Sequence, residues 1–307
     1  MIEAKSLCKR YDGFTAVDDL SFTIKAGQVL GFLGPNGAGK STTMKMLTGF
    51  LTPTSGIALI NGIDVSENPV EACKHIGYLP EGAPCYGEMT VRQFLTFVAR
   101  ARLISRADVS ESVDRAVEKL SLTTVSHQPV ETLSKGFKRR VGLAQAIIHD
   151  PQILILDEPT DGLDPNQKHE VRHLIKTMAK DKIIVISTHI LEEVEAVCNR
   201  VMIIADGKLL ADDTPHGLVA RSRYNNSVSM VVEEAEKVAS VLSELPQVAK
   251  AELQDGELTL FPAVEQGLFE AITAAIAEHQ WEVMALRLEA GRLDEVFRSI
   301  TSKESAA

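Results

Sequence analysis

Apolar residues along the chain fall in short continuous runs at 2–7, 20–24, 29–33, 57–60, 76–79, 153–157, 183–187 and 201–205. Runs of this length predict β-strands, and the interior ones show no alternation with polar residues. Continuous runs imply strands covered by helices on both faces, as in a parallel α/β sheet. Between residues 90 and 148 the period changes to that of helices, with Phe94, Leu95, Val98 and Ala101 on one face. Thr90 and Gln93 have the spacing of a capping box, and Ser105 and Asp108 repeat it before a second helix. This stretch predicts a helical insert, spanning about 88–148, within the core. Asp206 and Gly207 predict the two-residue turn of a hairpin between 201–205 and 208–211.

The polar run RSRYNNS at 221–227 predicts a domain boundary, dividing the chain into 1–222 and 225–307. Beyond it, strands are predicted at 228–232, 248–253, 257–261 and 283–288, with helices at 234–245 and 265–279. The order βαββαβ fits a small ferredoxin-like α+β module. An amphipathic helix at 293–300 is expected to pack on it, ahead of a polar tail, TSKESAA.

Composition narrows the class. The chain has 307 residues, 45% of them hydrophobic, which is enough for one large and one smaller domain and argues against disorder. Its net charge of −10 argues against broad attraction to nucleic acid or anionic lipid. Cys8, Cys73, Cys85 and Cys198 form no CxxC pair, so reduced thiols are expected rather than a disulfide frame or zinc cluster. The N-terminal residues carry both charges and no apolar signal region, and no segment approaches the ~20 apolar residues of a membrane span. A cytoplasmic chain is expected, with any membrane role exercised through a partner.

Residues 34–41 read GPNGAGKS, between the apolar run 29–33 and a helix-compatible stretch. Glycines at 34, 37 and 39 allow a tight turn whose backbone N–H groups surround a polyphosphate at the positive end of the following helix. The ammonium of Lys40 would lie between the outer phosphates of a triphosphate, and the Ser41 hydroxyl is suited to ligate Mg²⁺. The run ILILDE at 153–158 ends in two acids, which its strand would deliver to the same sheet edge. Asp157 is suited to hold Mg²⁺, and Glu158 to take a proton from, or orient, a water attacking the γ-phosphate. In LSKGFKRR at 133–140, Ser134 and Gly136 are suited to open a helix whose N-terminus faces an anion.

The order GPNGAGKS, LSKGF, ILILDEP, DGLDP and STH resembles the ATP-binding subunit of ABC transporters over residues 2–218. The resemblance implies a P-loop NTPase core that binds ATP and Mg²⁺ through Gly34, Pro35, Asn36, Gly37, Ala38, Gly39, Lys40, Ser41 and Thr42. It also implies roles for residues that match the family's motifs. Tyr11 is similar to the aromatic residue that stacks on adenine, a buried strand tyrosine being the alternative. Glu81, in YLPE, stands where the family usually has a glutamine that senses Mg²⁺ and contacts the membrane subunit. His189 is similar to the histidine that contacts the γ-phosphate and positions the catalytic acid, and Asp164 to the aspartate that links two sites across a dimer. In the family, the signature helix of one copy closes over ATP held by the other, so Ser134 and Gly136 would act in trans. Lys135 and Phe137 depart from the usual LSGGQ.

Longer wording, including GYLPEGAPCYGEMT and STHILEEVEAVC, resembles the export-type ABC-2 branch, and most closely its gliding-motility group. The implied partners are a second copy of the chain and an integral-membrane permease, with the chain held peripherally at the cytoplasmic face of the membrane. A non-transport ATPase acting on ribosomes or DNA is the alternative, disfavoured by a single cassette without a heptad run.

Two patterns point elsewhere. HEVRH at 169–173 matches the HExxH of zinc peptidases, against the plainer reading of a solvated helix face. Lys135, Lys138, Arg139 and Arg140 form a basic cluster that suggests nucleic acid, against cations facing phosphate or acidic neighbours.

Overall fold

In the computed structural model, which describes residues 1–263 and 267–302, the chain opens with antiparallel strands β1 (Ile2–Tyr11) and β2 (Phe14–Ile24). A tight turn over Asp12 and Gly13 sets Tyr11 opposite Phe14. Both strands extend beyond their apolar runs, because hairpin pairing carries through polar Lys9, Arg10 and Thr15. Next come β3 (Val29–Leu33), α1 (Lys40–Leu47), β4 (Ser55–Ile60) and β5 (Ile63–Asp64), then α2 (Pro69–Lys74) and β6 (Ile76–Leu79). The helical region holds α3 (Val91–Ala101), α4 (Val109–Lys119) and α5 (Lys135–Ile147). It is followed by β7 (Ile153–Asp157), α6 (Pro165–Met178), β8 (Ile183–Thr188), α7 (Leu191–Val197), β9 (Arg200–Ala205) and β10 (Lys208–Asp213).

Six strands form one sheet in the order β10-β9-β3-β8-β7-β6, parallel except for the β9–β10 hairpin. Every residue of β3, β7 and β8 is buried, as continuous apolar runs predict for strands covered on both sides. A second, antiparallel sheet in the order β2-β1-β4-β5 shares a core with the first, where Phe22 meets Phe32 edge to face at 5.5 Å. Parallel register brings the carboxyl ends together: Leu33 is level with Thr188, Asp157 with Ser187 and Leu79 with Leu156. Loops leaving those four ends converge on one edge of the sheet.

Capping in the helical region differs between its two predicted boxes. The Thr90 hydroxyl accepts from the Gln93 amide at 3.2 Å, and Gln93 Oε1 accepts from the Thr90 amide at 2.9 Å. Ser105 and Asp108 form no such box: the Ser105 hydroxyl donates to Asp108 Oδ2 at 2.7 Å, and Asp108 opens α4 without a side-chain cap. A hydroxyl next to a carboxylate donates to that stronger acceptor.

The chain divides into compact units at Met1–Thr214 and Pro215–Ala307, earlier than the polar run at 221–227 suggests. The second unit begins with α8 (Pro215–Val219), which packs on α11 (Leu293–Ser302). Between them in sequence lie β11 (Asn225–Val232), α9 (Ala235–Leu242), β12 (Val248–Gln254), β13 (Glu257–Pro262), α10 (Leu268–His279) and β14 (Val283–Ala290). Its sheet runs β12-β13-β11-β14, all antiparallel, in ferredoxin-like order. The polar run belongs inside this unit because its aromatic residue is packed. Tyr224 lies 5.5 Å from Phe261, with the guanidinium groups of Arg223 and Arg292 over its ring at 4.7 and 4.1 Å. Predicted helix residue Glu265 and most of the polar tail lie outside the described residues.

Candidate functional site

Residues 34–39 connect β3 to α1 as a loop of small residues, and two of its glycines leave no room for a side chain. A Cβ on Gly34 would stand 2.2 Å from the Ile204 carbonyl oxygen, and one on Gly39, at φ +100°, 2.4 Å from that of Ala16. The register of β1 with β2 slips by one residue between Lys9 and Arg10, leaving Ala16 as a bulge whose carbonyl reaches the loop. Behind the loop lies the predicted hairpin turn, with Asp206 and Gly207 both at positive φ. The Gly207 amide donates to the Ala38 carbonyl at 3.1 Å, and its carbonyl accepts from Asp18 at 2.9 Å. The loop is thus braced from two sides by backbone, an arrangement its own sequence does not disclose.

A cavity of about 410 Å³ opens against the loop, lined by Phe14, Ala16, Asn36, Gly37, Ala38, Gly39, Lys40, Ser41, Thr42, Glu81 and Glu158. The Lys40 ammonium donates to the carbonyls of Gly34 at 2.7 Å and Pro35 at 3.0 Å. Burial lowers its pKa, and the charges of Glu158, Asp157 and Glu81 act in the opposite direction. A larger cavity, about 630 Å³, is lined by Val70, Cys73, Arg102, Leu103 and His149, and no predicted site residue reaches it.

Asp157 ends β7 at 1% exposure, and neither carboxylate oxygen has a hydrogen-bond partner. A buried carboxylate without hydrogen bonds is costly unless a cation faces it. This donor set therefore fits a hard divalent ion beside phosphate, with Asp157 and Ser41 as protein ligands and Glu81 exposed at the rim. Among the described residues no group of three His, Cys, Asp or Glu can hold a metal alone. The HEVRH pattern lies on a solvated helix face, the plainer of its two readings: His169 and His173 are exposed on α6, and Glu170 is engaged by Arg140 at 2.9 Å.

Glu158 follows at φ +51°, a backbone region costly for a residue with a side chain. Its amide donates to the Ser187 carbonyl at 2.9 Å. The Nδ1 atom of His189 lies 2.8 Å from Glu158 Oε1, while Oε2 is buried without a partner. Two residues outside the predicted set hold this corner. Arg139, 4% exposed, donates through Nη2 to the carbonyls of Asp157, at 2.8 Å, and of Glu158, and through Nη1 to that of Pro80 at 3.5 Å. Glu193, 2% exposed, accepts from the hydroxyls of Thr160 and of Thr188, the latter at 3.1 Å. Burial raises the Glu193 pKa. Arg139 belongs to the basic cluster, so the signal was present, but its destination was not. Two of the four cations, Arg139 and Arg140, are buried within the fold and present no cationic face.

Ser134, Gly136 and Asp164 do not line the cavity; they gather where α5 and α6 begin. Ser134 caps α5, accepting from the Phe137 amide at 3.4 Å, and Asp164 caps α6, accepting from the Gln167 amide at 2.9 Å. A Cβ on Gly136 would lie 2.3 Å from Gln167 Oε1. Tyr11 stands outside the lining too, 49% exposed, whereas Phe14 contributes to it at 58%. All four cysteines are free thiols. Burial pushes Cys198 up to about 12.

Comparison with known proteins places this geometry. The ABC transporter family model matches residues 17–161. The chain is 39% identical over 236 residues to a probable multidrug ABC transporter ATP-binding protein of Escherichia coli (strain K12), covering 76% of this chain and 41% of that protein. The match thus spans well under half of that relative's length. A Nod factor export ATP-binding protein of Cupriavidus metallidurans is 32% identical over 305 residues, covering 99% of this chain and 98% of that one. Among solved structures, an ATP-binding subunit of an ABC transporter aligns at TM-score 0.66 and 30% identity, over 71% of this chain and 91% of its own. The chain belongs to the family of ATP-binding subunits of ABC transporters, with the α/β P-loop fold of that family.

Proposed function

We propose that this chain binds and hydrolyses ATP to power an export-type membrane transporter of the ABC-2 branch. The observation that carries the reading is the convergence, at one sheet edge, of the phosphate-loop cavity, the unpaired buried oxygens of Asp157 and the Glu158–His189 contact. The names of the relatives, which include multidrug and Nod factor export proteins, support the direction of transport. The sequence likeness to gliding-motility subunits supports the branch without indicating a cargo.

Backbone amides of residues 36–42 surround the phosphates, and the Lys40 ammonium leaves the Gly34 and Pro35 carbonyls for the outer phosphate oxygens. Ser41 and Asp157, with Glu81 nearby, would hold Mg²⁺, which would supply charge neutralisation of the triphosphate. Glu158 takes the proton of the attacking water on Oε2, the oxygen without a hydrogen bond. His189 holds Oε1, so the free oxygen keeps one direction.

Ser134, Gly136 and Asp164 act on the nucleotide of a second copy, since they stand apart from the loop of their own chain. Two copies close around two ATP molecules and separate once the γ-phosphate contacts are lost. A permease subunit supplies the membrane passage, because among the described residues no helix is long and apolar enough to cross a membrane. The assembly sits at the cytoplasmic face. The test is Mg·ATP retention by the purified chain: Lys40→Ala is expected to weaken it at least tenfold, and equal retention by both proteins would overturn the reading.

A further inference from the structure

Of the acids on α7, Glu193 alone is buried, while Glu192 and Glu195 are exposed. Burying a carboxyl group is costly, and its partners here are two hydroxyls rather than a cation. Its two oxygens serve different loops. Oε1 accepts from the Thr160 hydroxyl and Oε2 from that of Thr188 at 3.1 Å, and both threonines are buried. Thr160 follows Glu158 by two residues in the loop leaving β7. That loop is folded tightly, the Asp161 amide donating to the Glu158 carbonyl at 3.1 Å and the Leu163 amide to that of Thr160 at 3.2 Å. Thr188 ends β8 beside His189, and its hydroxyl oxygen also accepts from the Ile190 amide at 3.0 Å. Each loop that Glu193 holds therefore carries one member of the Glu158–His189 contact.

We propose that Glu193 is a positioning residue for ATP hydrolysis: it bridges the loops after β7 and β8 and so fixes the distance between Glu158 and His189. The proposal deepens the hydrolysis reading of this site and rests on it. Strand pairing sets where the two loops begin, with Asp157 level with Ser187 and the Glu158 amide on the Ser187 carbonyl. Beyond Glu158 the ladder ends, and among the described residues the bridge through Glu193 is the next hydrogen-bonded tie between these loops. A carboxyl group suits the task because it offers an acceptor at each end of one planar unit. Misplacing a reacting pair by about 1 Å costs on the order of 10²-fold in rate. Glu193 does not line the cavity, so its loss should reach the rate and spare nucleotide binding.

The experiment measures kcat for ATP, the dissociation constant of Mg·ATP and the melting temperature for the full chain and for Glu193→Leu, Glu193→Gln and Thr160→Val. Leucine fills much of the same space without bridging the loops. Glutamine still bridges them, its carbonyl oxygen accepting from one threonine and its amide donating to the hydroxyl oxygen of the other. Glu193→Leu is expected to lower kcat about 10- to 100-fold, with Mg·ATP affinity within about twofold of the parent. Glu193→Gln should keep kcat within about threefold, and rates should not follow melting temperatures. Thr160→Val removes one hydroxyl at nearly constant shape and should also lower kcat; it carries the test if Glu193→Leu does not fold. Parental kcat in the bridge-breaking variants, a Glu193→Gln as slow as Glu193→Leu, or an equal loss of Mg·ATP affinity would overturn the assignment. No turnover by the unaltered chain, or parental turnover in Glu158→Gln, would instead remove the hydrolysis reading beneath it.

Discussion

His189 Nδ1 lies 2.8 Å from Glu158 Oε1, and that contact divides the carboxylate into a held oxygen and a free one. The free oxygen is the proton acceptor in the proposed reaction. Glu158→Gln keeps the shape and the contact but cannot take a proton. Turnover should fall by about 10²- to 10⁴-fold with nucleotide binding retained, and ATP-loaded dimers should accumulate. Phosphate release and size-exclusion chromatography with ATP measure both effects. Unchanged turnover would exclude Glu158 as the base.

Arg139 makes a different kind of prediction because it touches only backbone. Its guanidinium serves carbonyls at the ends of β6 and β7, beside Glu81 and at Asp157 and Glu158. Arg139→Met leaves those buried acceptors unsatisfied and should cost about 2 to 4 kcal/mol of stability. Turnover should drop more than nucleotide affinity, since the loop that holds phosphate is braced elsewhere. Denaturant titration together with kcat and KM tests this; a variant as stable as the parent would contradict it.

The glycines of the phosphate loop should not be equally sensitive. A methyl group on Gly34 meets the Ile204 carbonyl oxygen at 2.2 Å, while one on Gly37, at φ +82°, has nothing within 4 Å. Gly37→Ala bears only the left-handed backbone cost, about 1–2 kcal/mol. Gly34→Ala forces backbone apart, for about 3 kcal/mol or more, and should also abolish Mg·ATP binding. Melting temperatures of the two variants in parallel decide the order.

His149 gives the chain an acid-sensitive term. Burial, reinforced by the Arg102 charge, pushes its imidazole down to about 4. Its folded value is therefore depressed below the ~6.5 of an unfolded histidine, so the unfolded chain takes up a proton first as pH falls. The contribution is fully present above about pH 6.5 and is lost on acidification towards pH 4, at about 2 to 3 kcal/mol in all. His149→Asn should flatten that part of the stability–pH curve. Equal slopes for parent and variant would refute it.

The buried strands and the glycine-rich turn after β3 were legible because each is contiguous. Residues 29–33, 153–157 and 183–187 announce buried strands by their apolar content, and GPNGAGKS keeps its loop and its cation within eight residues. What escaped detection depends on neighbours far apart in sequence. Phe14 falls outside every predicted strand, and only the fold extends β2 to it and lays it against residues 36–42. Glu193 is one of three acids near the start of α7, and only the fold shows that it takes hydroxyls from both Thr160 and Thr188. The polar run at 221–227 hides a packed residue for the converse reason: composition reports polarity, whereas Tyr224 is packed against Arg223, Arg292 and Phe261.

Two Asp-Gly hairpins in this chain have the same backbone handedness, at Asp206–Gly207 and Asp255–Gly256. The first is wedged beneath the phosphate loop through the Gly207 amide, while a Cβ at Gly256 would meet nothing. An epitope or fluorophore-bearing peptide spliced into the second would leave the loop at 34–39 undisturbed, whereas the same graft at the first would dislodge the floor of that loop's cavity. For labelling purposes, these look-alike corners are opposites.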